Sequence, residues 1–155
     1  MRRKDREITD ISEIKSFIFE EKIIRVAFYD RGDIYIVPVN YGFSCSDNEY
    51  CFYFHGAKAG RKYELAKKKP NVGFEIDGRY RLIEGETACK YSAKFQSVIG
   101  TGIISLIEGA DEKKKALDCI MKQQTNCGAW EYSEKVLNET ALFRIVVEKM
   151  SCKAK

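Results

Sequence analysis

The run Tyr53-Phe54-His55-Gly56-Ala57-Lys58-Ala59-Gly60-Arg61-Lys62 marks a strand-to-helix junction. The residues before it, Glu49-Tyr50-Cys51-Phe52-Tyr53-Phe54, are aromatic and strand-like. Those after it, Tyr63-Glu64-Leu65-Ala66-Lys67-Lys68-Lys69, favour a helix that Pro70 ends. Two glycines, three cations and the chain's only histidine thus meet at one junction. A helix N-terminus offers unpaired N–H groups and a positive dipole end, both suited to a phosphate. Gly56 and Gly60 permit close ligand approach. Lys58, Arg61 and Lys62 supply charge, and Arg61 has the geometry to bind two phosphate oxygens. The spacing is neither a P-loop nor a dinucleotide fingerprint. A solvated basic turn with a helix cap explains the same residues, so both readings stand at this point.

Working outward, the alternation of strand-like runs and turns predicts a mainly antiparallel α+β fold. Asp10-Ile11-Ser12-Glu13 has the form of a capping box, with Ile11, Ile14, Phe17 and Ile18 at helical spacing, so a helix is expected over about 11–20. Residues 22–29 and 34–41 read as a hairpin around the turn Asp30-Arg31-Gly32-Asp33. Pro38 cannot donate a ladder hydrogen bond, which places that strand at an edge or a bulge. Residues 43–48 read as a polar loop. Val72, Phe74 and Ile76 alternate onto one strand face, and a separate short strand is expected over 81–86. Residues 95–107 read as a long strand in which Gly100 and Gly102 leave bare backbone on one face. A helix is expected over 111–124 with Ala116, Leu117, Ile120 and Met121 inward, then an irregular segment to 138 and a last strand over 140–150. The sum is an antiparallel barrel decorated by about three helices.

The chain of 155 residues, 45% hydrophobic and 12% aromatic, has the size and composition of one domain, with a short arm over about 1–10. A net charge of +4 from 27 basic and 23 acidic residues is too mixed to demand nucleic acid, and the acids Asp5, Glu7 and Asp10 offset Arg2, Arg3 and Lys4. No apolar run is long enough for a membrane span, and no h-region follows the charged start. Cys45, Cys51, Cys89, Cys119, Cys127 and Cys152 include no C-x-x-C pair, so thiols in a cytoplasmic protein are expected and a metal site is not.

Four segments in order carry a resemblance: Met1 to Asp10, Val37-Pro38-Val39-Asn40-Tyr41-Gly42, Tyr53 to Lys62, and Phe95-Gln96-Ser97-Val98-Ile99-Gly100-Thr101-Gly102. Together they resemble the NimA-like nitroimidazole-resistance proteins of the pyridoxamine 5′-phosphate oxidase-like, FMN-binding split-barrel superfamily. The resemblance implies a homodimer with FMN at the subunit interface and a small-molecule substrate. It implies that Val37, Pro38, Val39 and Asn40 line the flavin ring edge. His55 and Gly56 would lie beside the ring or ribityl chain, Arg61 and Lys62, with Gly60, would hold the phosphate, and Gln96, Ser97 and Val98 would complete the site; the charge of the junction adds Lys58 to the phosphate contacts. Ser151-Cys152-Lys153 departs from the Thr-Gly-Lys often found there, and vitamin B6 oxidation is not implied.

The reading favoured on this basis is an FMN-dependent oxidoreductase reducing a nitroaromatic, with His55 as its catalytic residue. Two alternatives stay open: a flavin-binding carrier or sensor without turnover, and a haem-binding split barrel with His55 as axial ligand. His55 as a structural histidine is an equal reading from the residues alone. Trp130 and Tyr132 fit core or interface packing better than a cover over a flavin.

Overall fold

The computed structural model describes residues 3–46, 49–128 and 130–155. The expected arm and the 43–48 loop therefore fall partly outside the described residues, at Met1, Arg2, Asp47 and Asn48. The elements are β1 (Glu7–Ile8), α1 (Ile11–Glu20), β2 (Ile23–Asp30), β3 (Asp33–Asn40), β4 (Gly42–Ser46), β5 (Glu49–Ala57), α2 (Arg61–Ala66), β6 (Asn71–Ile83), β7 (Ser92–Ile107), α3 (Ala110–Thr125), α4 (Glu134–Glu139) and β8 (Thr140–Ala154). Every strand pairing is antiparallel, in the order β3-β2-β6-β7-β8-β5-β4, with β1 added to the end of β8.

The two ends of this order, β3 and β4, are consecutive in the chain and separated by Tyr41 alone. One residue cannot cross a flat eight-stranded sheet, since strands lie about 4.8 Å apart. The sheet must therefore curl until its edges meet, with no ladder between them. That is a split barrel, as the residue pattern and the resemblance predict. Tyr41 is fully buried at the seam, and its hydroxyl donates to Ile18 O at 2.5 Å.

Side chains of alternate strand residues fill the barrel. Ile24, Val26 and Phe28 of β2, Phe52 and Phe54 of β5, Val72, Phe74 and Ile76 of β6, and Phe143 and Ile145 of β8 are all buried in one cluster. Phe17 and Ile18 of α1 join it at zero exposure. Phe54 and Phe143 stack with centroids 4.7 Å apart. A second, smaller cluster lies outside the barrel, where Ala116, Leu117 and Ile120 of α3 and Leu137 of α4 cover Ile107 and Leu142.

The β2–β3 turn places Arg31 at φ 56° and Gly32 at φ 102°, the paired positive angles of a tight hairpin whose twist matches its strands. β3 is an edge strand, which accounts for Pro38. Three expectations are corrected. The segment read as a polar loop contains β4, because Phe43 turns into the core beside Phe52 and Tyr50. The two strands expected over 71–77 and 81–86 are one, β6, continued through a bulge at Arg79 with φ 55°. The irregular segment includes α4, which Ser133 caps by accepting from Val136 N, so the described residues hold four α-helices rather than three. Within the arm, β1 pairs Glu7 with Lys153 and Ile8 with Cys152. All six cysteines are free. Among the described residues no helix is long and apolar enough to cross a membrane.

Candidate functional site

β5 runs on through His55, Gly56 and Ala57, so the junction begins three residues later than its sequence suggests. α2 opens at Arg61 with Gly60 as its N-cap at φ 91°, an angle that favours glycine, and no side chain caps it. A Cβ on Gly60 would meet nothing within 4 Å, so the space over it is open.

Lys62 lies back across β5. A Cβ on Gly56 would stand 3.1 Å from its Nζ, and the ammonium sits 5.4 Å from the Phe54 ring centroid and 5.3 Å from that of Phe143. Burial against these rings pushes the Lys62 pKa below the ordinary lysine value. Among the described residues no carboxylate pairs with it. It is a half-buried cation held on two apolar rings, which an anion would stabilise.

Arg61 is placed differently. Its Nε donates to Asp30 Oδ2 at 2.8 Å, and its guanidinium lies 4.7 Å from the centre of the Tyr35 ring. Asp30 and Tyr35 belong to the β2–β3 hairpin, so Arg61 fastens the start of α2 to that hairpin. Its Nη2 also lies 3.9 Å from Asp33 Oδ2, so two carboxylates of the hairpin already face this guanidinium. Asp30 and Tyr35 were not singled out by sequence reasoning, because nothing local links a hairpin turn to a helix thirty residues on.

The remaining candidates divide by strand face. His55 is exposed and sits opposite Leu142 in the β5–β8 ladder, whereas Gly56 and Lys62 belong to the other side of β5 with Phe54 and Phe143. On β3, Pro38 and Asn40 point outward and are exposed, while Val37 and Val39 turn toward the core. Asn40 Nδ2 donates to Lys22 O at 3.1 Å, tying the end of β3 to the start of β2. Lys58 lines a cavity of about 260 Å³ with Tyr63, Lys113, Asn138 and Thr140. Gln96 and Val98 are buried inside the barrel, and Ser97 between them faces out. Gln96 accepts from Arg79 Nη1 at 2.6 Å and donates to Cys152 Sγ at 3.5 Å. Of this trio, only Ser97 has a side chain directed to the outer surface, and Gln96 and Val98 could meet a ligand there only through their backbone.

The structure thus brings together Gly56, Gly60, Arg61 and Lys62 at one end of the barrel. It sets His55, Pro38, Asn40 and Ser97 on outward faces. Tyr132 donates to Asp118 Oδ1 at 3.0 Å and packs against the α3–α4 cluster, as the packing reading requires. Burial, and then that contact, push its hydroxyl up to about 12.

A curled antiparallel barrel with a basic, glycine-flanked junction at one end defines a class of small-ligand-binding split barrels. Residues 10–154 match the family model described as pyridoxamine 5′-phosphate oxidase, and the chain belongs to that family. No curated protein matches the sequence. Among solved structures, a Bacteroides thetaiotaomicron protein assigned to 5-nitroimidazole antibiotic resistance is similar, at 28% identity over 96% of this chain and 86% of that one, with a TM-score of 0.82. The flavocytochrome Anf3 of Azotobacter vinelandii shares the fold at 18% identity, over 100% of this chain and 72% of that one, with a TM-score of 0.79. So does the FAD and haem binding protein of Mycobacterium smegmatis, at 15% identity over 97% and 73%, with a TM-score of 0.79.

Proposed function

We propose that the protein is an FMN-binding oxidoreductase, working as a cytoplasmic homodimer and reducing a small nitroaromatic such as a nitroimidazole. The observation that carries the flavin reading is Lys62, a half-buried cation without a carboxylate partner among the described residues, beside the open space over Gly60. A terminal phosphate supplies the missing charge. The absence of a dinucleotide fingerprint favours FMN over FAD. Family membership and the names of similar proteins, a nitroimidazole resistance protein among them, support the same direction.

Lys62 would hold the phosphate, with Arg61 beside it already shared with Asp30 and Asp33, and Gly60 keeping the approach clear. The exposed edge of β3 at Pro38 and Asn40 would meet the ring, with Val37 and Val39 contributing backbone. Ser97 would face it from the outer surface of β7. Bound FMN would supply hydride or electron transfer, the chemistry for which the protein gives position and electrostatics. His55 would deliver a proton to the reduced substrate, since imidazole exchanges protons near neutral pH.

The test is the visible spectrum of the purified protein, followed by anaerobic NADH or NADPH and then a nitroimidazole. Flavin bands that bleach and return on adding the nitro compound support the proposal. Flavin bands without turnover leave a carrier or sensor. A Soret band would favour the haem reading, to which the names of two similar proteins lend support, with His55 as the chain's only histidine. Apo-protein that takes up neither group would overturn both.

A further inference from the structure

We propose that the cavity between α3 and the outer face of β4, β5 and β8 is a binding site for a small carboxylate, anchored by Arg144. The cavity measures about 260 Å³ and is lined by Ser44, Tyr53, Ile107, Lys115, Ala116, Cys119 and Arg144, with Glu112 beside them. It is separate from the Lys62 end of the barrel and does not rest on the flavin reading.

Arg144 stands opposite Tyr53 in the β5–β8 ladder. Its neighbours Phe143 and Ile145 point into the barrel at zero exposure, so Arg144 points out, beneath α3. Its Nε is closed off from solvent, and among the described residues it has no hydrogen-bond partner. A guanidinium N–H in that position is costly to leave unpaired, and the rest of the Arg144 guanidinium lines the cavity, where an acceptor would pair the group. Ser44 Oγ donates to Tyr53 Oη at 3.4 Å on the wall of the same cavity.

The charges set the class of occupant. Two cations, Arg144 and Lys115, share the lining with one acid, Glu112, so the lining carries one excess positive charge. That suits a single carboxylate better than a phosphate ester, which Glu112 would repel. Ile107 and Ala116 give an apolar wall for the body of the acid. The volume lies below that of pockets for drug-sized ligands and fits a compact acid of about one ring.

The experiment titrates the full protein with sodium benzoate at neutral pH, read by amide NMR shifts. Saturable binding is expected, with shifts centred on Ser44, Tyr53, Cys119 and Arg144. Neutral benzamide should bind about tenfold more weakly or less, and Arg144→Gln should reduce benzoate affinity by about tenfold or more, as for a lost charged hydrogen bond. Lys115→Glu, at the exposed rim, keeps the test available if Arg144→Gln does not fold, and should also weaken benzoate while leaving benzamide unchanged. Failure to saturate, equal affinity for benzamide, or shifts centred elsewhere would overturn the proposal. So would benzoate affinity that falls as protein concentration rises, which would mean that a second copy of the chain fills the cavity.

Discussion

Lys62 and Arg61 are adjacent in sequence but unequal in what they can give a phosphate. Lys62 has been moved against two phenyl rings without gaining a carboxylate, whereas Arg61 already donates to Asp30. Lys62→Met should therefore weaken FMN by about 10- to 100-fold, the range of a charged hydrogen bond, and Arg61→Ala by less. Lys62 also has a pKa lowered by burial, so the folded apo-protein disfavours its charge. That unfavourable contribution is present at neutral pH and is relieved as the pH rises through the depressed folded-state value. Lys62→Met should accordingly raise the apo melting temperature at neutral pH while lowering flavin affinity, a trade seen where function needs a strained charge. Titration of flavin fluorescence and thermal melts on one set of samples check both halves. His55 makes the opposite prediction. It is exposed on the other face of β5, away from Lys62, so His55→Ala should retain FMN and slow nitroaromatic reduction by about 10²–10⁴-fold, the loss typical of an acid–base group. Loss of flavin with an unchanged rate per bound flavin would make the histidine structural. The residue types of this site were legible in the sequence, since glycines and cations at a junction are local facts. Their division between two faces of β5 was not, because it depends on how far the strand runs before the turn.

At the scale of elements, α1 and β4 illustrate what is local and what is not. Asp10 accepts from Ser12 N at 2.7 Å and from Glu13 N at 3.2 Å, the N-cap half of the capping box that its sequence predicts. The Ser12 side chain, and then the two backbone N–H groups, hold the Asp10 carboxyl below its usual value. A depressed folded-state value means that the stabilisation is present above the unfolded-state pKa and is lost as the pH falls through the folded-state value. Asp10→Ala should lower the melting temperature at neutral pH, and the difference from wild type should shrink toward zero in acid. β4 is the contrary case. Its polar composition, Ser44 and Ser46 among five residues, reads as loop. What makes it a strand is tertiary: Phe43 enters the barrel, and α3 lies directly upon Gly42. A Cβ there would come within 2.4 Å of the α3 backbone at Cys119 and Ile120. Gly42→Ala should destabilise by about 3 kcal/mol, the cost of overpacking a contact in which the obstacle is backbone. Urea unfolding measures it, and wild-type stability would show that α3 can move aside freely. The same distinction runs through the chain. Capping and period-two alternation located α1, the hairpin and the inward face of β6, whereas the Arg79 bulge and α4 depend on partners distant in sequence.

For the whole molecule, the outer face of the sheet from β3 to β7 is the feature left unexplained by one chain. Ile34 and Ile36 on β3 are 65% and 57% exposed, and Ile99 on β7 is 50% exposed. Tyr29, Ile23 and Ile103 on the same faces of β2 and β7 are exposed as well. The ladder pairs Ile36 with Ala27, Ala27 with Gly73 and Gly73 with Thr101, so small residues lie between the large ones and the face is open to another surface. Arg25, paired to Glu75 at 3.1 Å and also to Asp77, sets a polar patch within it. Scattered exposed apolar residues need no explanation, but a contiguous set on one sheet face marks an interaction surface. Pro38 and Asn40 continue the same face of β3, and Ser97 the same face of β7. A second copy docked here would therefore cover the apolar face and approach the proposed ring contacts together. It follows that dimerisation and flavin retention should fail together. Ile36→Arg places a charge at the centre of this face, opposite Ala27, with its side chain outside the barrel core. The variant should keep the wild-type far-ultraviolet circular dichroism spectrum, sediment near the 17.8 kDa of one chain instead of twice that mass, and lose FMN on gel filtration. A folded Ile36→Arg dimer that still holds flavin would place the interface on another surface. A monomer that holds flavin as tightly as wild type would mean that the Lys62 end of one barrel suffices.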